Sequence, residues 1–363
     1  PAFPALEPTP PEPELSLAST LPARLYLDPE ALAAERERIF YRSWQWVGHP
    51  SRLTQDGDYA TTAVLEQPLL LLRDGAELRG FYNVCRHRGG AVAVGEGNRR
   101  TLQCRYHGWT YGLDGSLRGT PEFGGARCFE RSANGLVPVP VVEAAGLLFT
   151  NLGGRGELGQ AGPAGPPLTE VLGELLGEIA DLPVARMRPV RRVDYEVRCN
   201  WKVYVDNYLE GYHLPLVHPR LFRALDYGAY KVETRRYHSR QYAPLRGVPD
   251  SQAFYYWVFP NLMLNIYPGS VQLNLIVPTA VDRTTTVFEW YQLDGADPAE
   301  PPLADDAAGS LAFADEVQRE DIAICEQVQR GLAFHAYDRG RFCPARENGV
   351  HHFHQLLAEH LSG

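Results

Sequence analysis

The sequence predicts an α+β fold of two antiparallel β units and one long helix, and three observations carry this. From Trp44 to Asn151 short β-prone runs alternate with turn signals, Asp56-Gly57, Asp74-Gly75 and Asp114-Gly115, as in a small antiparallel domain. From Phe254 to Leu293 the runs FYYWVF, LMLNIY, VQLNLIV and TTTVFEWYQL read as a meander, with turns at Pro260-Asn261 and Pro268-Gly269. From about Ser310 to Arg330 an amphipathic pattern reads as a helix, and Gly331 suits its end.

Taken in order, residues 1–24 are Pro/Glu-rich and read as a flexible arm without a signal peptide's charged and apolar regions. Residues 25–43 form a helix, with Asp28 as N-cap and Pro29 as its first position. The β domain occupies 44–152, and the Gly/Pro-rich stretch 153–168 is a linker. A second domain fills 169–363. It begins with a helix in LTEVLGELLGEIADL and a strand from Val190 to Cys199. Asn200 then caps a helix over WKVYVDNYLEGYH.

Composition narrows the class. With 363 residues, 44% of them hydrophobic, the chain is long enough for two packed domains. A net charge of -9 without any basic run argues against nucleic acid and anionic membranes as partners. No stretch nears 18 uninterrupted apolar residues. Six cysteines in so long a chain are no disulfide framework, so a reducing, cytoplasmic setting is expected.

Two short knuckles carry the strongest chemical signal. Cys85 and His87 stand as Cys-x-His, Cys104 and His107 as Cys-x2-His, with sixteen residues between His87 and Cys104. Two thiolates on one iron and two imidazoles on the other make a Rieske [2Fe–2S] centre, whose imidazoles raise its potential. Structural zinc is the competing reading, although zinc knuckles usually pair Cys with Cys.

The second signal lies in NWKVYVDNYLEGYHLPLVH. His213 and His218 are candidate iron ligands; on a helix, Glu210 and Asp206 would share the face of His213, and Pro215 would end that helix and swing His218 round. Two histidines five apart are weak evidence by themselves. A redox cluster needs an electron acceptor, and two histidines with one carboxylate form the facial triad of non-haem Fe(II) oxygenases. The carboxylate is sought in ADEVQREDIAICEQVQRGL. Val317, Ile324 and Val328 lie within roughly 60° of Asp321 around the helix, so Asp321 sits on an apolar stripe. Glu320 falls on the polar face beside Glu316 and Gln327, where substitution should do little. The competing reading is a solvated acid on a misjudged face.

On CRHRG, CRYHGWTYGLDG and NWKVYVDNYLEGYHLPLVH the chain resembles the catalytic α subunits of Rieske non-haem iron oxygenases, along nearly its whole length after residue 25. EDIAICEQVQRGL and GVHHFHQLL resemble the branch of choline monooxygenase, with glycine betaine and carnitine oxygenases nearby. The resemblance implies an antiparallel Rieske domain inserted in a helix-grip catalytic domain, where a sheet wraps a long helix. It implies a homotrimer in which electrons cross from the cluster of one subunit to the iron of the next. Glu210 would be the bridging acid between His107 and the neighbour's His213, with Asn207 and Asp206 in support or merely capping and packing. NAD(P)H would feed the cluster through a separate flavin/iron–sulfur reductase or a ferredoxin, since no GxGxxG opens a βαβ unit here.

The expected reaction joins O2 to a small quaternary ammonium substrate, hydroxylated or oxidatively demethylated beside nitrogen. Aromatic faces stabilise a permanent cation, and Tyr255, Trp257, Tyr267, Trp290 and Tyr291 of the meander offer them. Aromatic residues in a sheet are otherwise core, and an aromatic-ring hydroxylase is the alternative function. A Rieske ferredoxin, a pure carrier, would need neither the triad nor the second domain.

Overall fold

The computed structural model describes residues 11–153, 164–180, 182, 184–267, 270–293 and 311–362. The chain divides into two compact units, one of residues up to Ile39 with those from Pro167 onward, the other Phe40–Pro166. The sequence-based boundaries were 44 and 152. The ends of the smaller unit are tied together instead: Trp44 Nε1 donates to the Pro166 carbonyl, and the Asn151 amide donates to Arg42 and Ala164. The expected linker lies mostly outside the described residues, as do the Pro268-Gly269 turn and Ser310.

The smaller unit holds a five-stranded antiparallel sheet in the order Glu96–Asn98, Asp58–Val64, Gln67–Asp74, Glu77–Tyr82 and Pro138–Val139. Two three-stranded antiparallel sheets complete it, one of them Thr101–Gln103, Thr110–Gly112 and Leu117–Gly119. Leu69 to Leu72 are all buried, because alternate residues of this strand serve two cores. Leu70 and Leu72 face the one that contains Cys85 and Cys104, while Leu69 and Leu71 face the other. Gly115 turns between the last two strands at a φ of 78°, and a Cβ there would strike the Phe81 ring at 2.4 Å.

The larger unit is built on a seven-stranded antiparallel sheet. Its five strands from Lys231–Thr234 to Ser270–Ala280 and its sixth, Arg283–Leu293, form a continuous meander; Met187–Val197 then pairs with that sixth strand. Helix Leu311–Leu332 is bonded to the sheet through Gln318 to Thr286 and Asp315 to Arg191. Its buried stripe differs from expectation. Phe313, Gln318, Cys325 and Gln329 are buried, whereas Val328 is 44% exposed. The two glutamines are buried because each is satisfied: Gln318 also accepts from Tyr204, and Gln329 accepts from the Asn200 amide.

At the N-terminus the expected helix is broken into Arg24–Leu27, Pro29–Glu35 and a π-turn at Arg36–Phe40, with Asp28 accepting from Glu30 N as N-cap. The residues expected to be a flexible arm are instead packed from Ala18. Ala18, Leu21 and Ala23 are buried, and Ala23 N donates to the Asp338 carbonyl. Residues 1–10 lie outside the described set. Glu35 is buried with Lys202, 2.5 Å away, and also accepts from Trp201 Nε1, so the N-terminal helix is pinned to helix Trp201–Tyr208. The helix expected over LTEVLGELLGEIADL breaks at Gly173, whose φ is 46°.

Candidate metal centres and substrate cavity

Two matching loops bring Cys85, His87, Cys104 and His107 together. In each, the cysteine amide donates to a carbonyl five residues on, and its own carbonyl accepts from the glycine four residues on. Those glycines, Gly89 and Gly108, have φ of 74° and 73°, which closes each loop tightly. The imidazole rings of His87 and His107 lie 4.6 Å apart, and His87 stacks on Trp109 at 4.8 Å. Cys85 Sγ lies 3.2 Å from the Tyr111 hydroxyl.

These residues fit a cluster. Both cysteines are buried, and burial with the neighbouring Cys85 sulfur pushes the Cys104 thiol up, so a thiolate there calls for bound cationic metal. The buried Nδ1 of His87 has no hydrogen-bond partner, an arrangement costly for a bare imidazole and natural for a metal ligand.

In the larger unit, one ligand atom from each of His213, His218 and Asp321 lies within 4.8 Å of the others. The local geometry differs from the sequence reading. Helix Trp201–Tyr208 ends before Glu210, so Glu210 and His213 share a turn and not a helix face. The Glu210 carboxylate accepts from the amides of Tyr212 and His213 and bonds His213 Nδ1. Gly211 permits this turn, since a Cβ there would meet the Tyr230 ring at 2.7 Å. Pro215 starts rather than ends a helix: it stands in the first turn of Leu214–Val217, after which His218 points inward, 1% exposed.

Asp321 meets the histidines from the long helix. Its Oδ1 lies 3.0 Å from His218 Nε2 and accepts from Asn207 Nδ2 at 2.6 Å. Glu320 corrects the sequence reading of an inert polar-face acid. Its carboxylate bonds His218 Nδ1 at 2.6 Å and so turns Nε2 toward Asp321. Burial disfavours an imidazolium at His218, yet bonds to Asp321 and Glu320 outweigh it and lift its pKa. Two imidazoles and one carboxylate converging at one point suit a divalent iron.

Asp206 does not reach the cavity. It bonds His354 at 2.9 Å and accepts from the Tyr26 hydroxyl at 2.6 Å. Its neighbour Asn207 does line the cavity.

A cavity opens onto the triad, bounded by Tyr208, Tyr230, Tyr255, Tyr267, Phe288 and Phe313. Tyr255 and Tyr267 were expected there, and their hydroxyls meet at 3.0 Å. Trp257 and Trp290 were also expected and do not line it. Trp257 is fully buried against Phe353, with Nε1 donating to the Pro260 carbonyl, and Trp290 packs on Phe288 and under Arg191. Tyr291 is fully buried, its hydroxyl donating to Glu289. Alternation along a strand settles the face, but only the near end of that face meets the cavity. Phe313, eight residues before Asp321 on one helix, was findable by helical period; Tyr230 carried no local signal. Burial pushes the Tyr267 phenol up to about 12 and those of Tyr208, Tyr230 and Tyr255 up as well, so all stay neutral near pH 7. Of the described residues lining the cavity, Glu210 and Asp321 are acids and none is lysine or arginine.

Residues 43–130 match the Rieske [2Fe-2S] domain family, and residues 184–363 match the ring hydroxylating alpha subunit (catalytic domain) family. Choline monooxygenase of Arabidopsis thaliana is 34% identical over 96% of this chain and 84% of its own length. The carnitine monooxygenase oxygenase subunit of Escherichia coli is 31% identical over 94% of each chain. The crystal structure of a quaternary ammonium Rieske monooxygenase with its substrate L-carnitine superposes with a TM-score of 0.83, at 28% identity, covering 96% of this chain and 97% of that one. The chain is thus an oxidoreductase of the Rieske oxygenase class, whose two domains imply a [2Fe–2S] cluster and a mononuclear iron. Within that class it belongs to the family of the choline and carnitine monooxygenases.

Proposed function

We propose that this chain oxidises a small quaternary ammonium compound, choline- or betaine-like, at a carbon next to nitrogen, using O2. One observation carries the reading: a cavity of neutral phenols and aromatic rings whose charged lining residues are the carboxylates of Glu210 and Asp321 opens directly on His213 and His218. A permanent cation cannot shed its charge on burial, and aromatic faces stabilise it by roughly 0.5–2 kcal/mol each.

Cys85, His87, Cys104 and His107 would hold the cluster, and His213, His218 and Asp321 the iron. Bound there, the cluster supplies single electrons and the iron activates O2. The protein's own residues prepare both places. Glu320 and Asn207 fix the orientation of His218 and Asp321. Glu210 fixes His213 and, in a homotrimer, would join it to His107 of a neighbouring subunit. The aromatic walls exclude water and hold the substrate cation. Electrons from NAD(P)H would arrive through a flavin/iron–sulfur reductase or ferredoxin. Six free thiols suit a reducing, cytoplasmic setting, and no helix among the described residues is long and apolar enough to cross a membrane.

Calorimetric titration of the oxidised protein with choline, glycine betaine and their uncharged carbon isosteres tests this. The cations should bind at least about tenfold more tightly. Equal or better binding by the isosteres would overturn the reading and favour an aromatic-ring hydroxylase.

A further inference from the structure

We infer that a groove beside the cysteine knuckles is the docking seat of an acidic iron–sulfur electron donor. The inference rests on the reading of Cys85, His87, Cys104 and His107 as cluster ligands. Val94, Arg99, Arg105 and Tyr106 line the groove, with Gly90 and the buried Cys104 also in its wall. A Cβ on Gly90 would stand 3.2 Å from Cys104 Sγ, so a bare backbone lets a partner approach the sulfur side. Neither histidine of the knuckles lines the groove, although the exposed His107 packs its ring on Tyr106 at 3.8 Å. The groove therefore flanks the cysteine side of the place the cluster would occupy.

Charge identifies the partner. The segment 85–107 holds five arginines and a single acid, Glu96, in a chain of net charge -9. Arg88, Arg99, Arg100 and Arg105 are exposed. Arg88 lies over Tyr106 at 5.4 Å and Arg99 over Tyr59 at 5.8 Å, contacts that hold the guanidinium groups without neutralising them. A local positive field on an acidic protein steers an acidic partner and can raise its association rate by 10–10³-fold. Val94, 71% exposed, and Tyr106, 58% exposed, add apolar contact area. In the transfer one electron leaves the donor's reduced iron–sulfur centre, which is oxidised, and enters this cluster, which is reduced. No bond changes and no proton moves. Plant-type ferredoxins lie at lower potential than Rieske centres, so the step runs downhill.

The test uses the full-length holoprotein, the double variant Arg99→Glu/Arg105→Glu, and an acidic plant-type [2Fe–2S] ferredoxin as probe. Calorimetry reads binding of the oxidised ferredoxin, and stopped-flow absorbance reads cluster reduction by the reduced one, at low and high salt. Wild-type affinity and rate should fall with salt. The variant should lose about tenfold or more in both at low salt, with a flattened salt dependence. Its visible spectrum, dithionite reduction and sedimentation should match wild type, and Arg99→Lys/Arg105→Lys should restore binding. Wild-type ferredoxin affinity and salt slope in the Glu variant would overturn the inference, as would a wild type that shows no salt-dependent association. Altered sedimentation of the Glu variant would overturn it too, making the groove a contact between copies of this chain. A wild-type protein without the Rieske spectrum would instead defeat the cluster reading.

Discussion

Glu320 offers the sharpest test of how the iron site is assembled. His218 is almost fully buried, and its Nδ1 lies 2.6 Å from the Glu320 carboxylate while Nε2 faces Asp321 at 3.0 Å. Only one ring nitrogen can serve a metal in this orientation, and Glu320 holds the proton on the other. Glu320→Ala leaves a buried N–H unsatisfied and frees the ring to turn. A hydrogen bond to a charged group is worth about 1.5–3 kcal/mol, which corresponds to roughly 10- to 100-fold in metal affinity. Glu320→Gln keeps an acceptor oxygen at the same reach, and most of the affinity should survive. The assay is Fe(II) or Co(II) affinity of the mononuclear site by competition with a chelator, with visible absorbance confirming an intact cluster. Wild-type affinity in Glu320→Ala would refute the argument. Equal losses in the Ala and Gln variants would show that charge, not orientation, is the contribution.

Other substitutions separate the parts. Asp321→Ala should lose the mononuclear iron and turnover while keeping the red-brown colour, read by iron content beside absorbance. His107→Cys should give all-thiolate ligation and a lower potential, seen by redox titration; an unchanged spectrum with unchanged turnover would remove the cluster assignment. Glu210→Gln should retain both kinds of iron and normal dithionite reduction, yet slow cluster reoxidation by O2 and substrate; full activity of a demonstrably monomeric preparation would sink the inter-subunit route.

The contrast between the two metal centres explains what a sequence makes legible. The cluster ligands are local: each knuckle fixes two of them within four residues, and glycine at positive φ closes each loop, so identity and geometry are both written in CRHRG and CRYHGW. The iron site is half local. His213 and His218 share one segment, but Asp321 arrives from a helix a hundred residues on, and only helical phase singled it out. Asp321 does lie beside the histidines, but the stripe that selected it is not the buried one, because the helix buries Gln318 and Gln329, which bond Tyr204, Thr286 and Asn200. Hydrophobic pattern cannot register a buried polar residue that is satisfied by distant partners. Glu320 was passed over for the same reason: next to Asp321 it looks solvated, and only folding brings it to His218.

The cavity is the least local feature. Its walls come from the meander, from the long helix, from the segment around Tyr230 and from Tyr208 at the end of helix Trp201–Tyr208. Strand alternation placed Tyr255 and Trp257 on one face, yet two residues along a strand move a side chain by roughly 7 Å, enough to pass from cavity wall to core. Trp257 was thus lost to the packing around Phe353. Tyr208 shows the opposite case. It lies inside the very motif that supplies the histidines, and its hydroxyl donates to Asn265 Oδ1 at 2.8 Å, joining the metal segment to the fourth strand of the meander, Leu262–Tyr267. Tyr208→Phe therefore bears on the two halves of the site at once. It should leave iron content unchanged, since the Tyr208 hydroxyl bonds Tyr256, Leu264 and Asn265 and not the triad, and weaken choline binding through looser registration of the wall, read by the calorimetric titration. Loss of iron in that variant would show that the wall and the metal site are mechanically one.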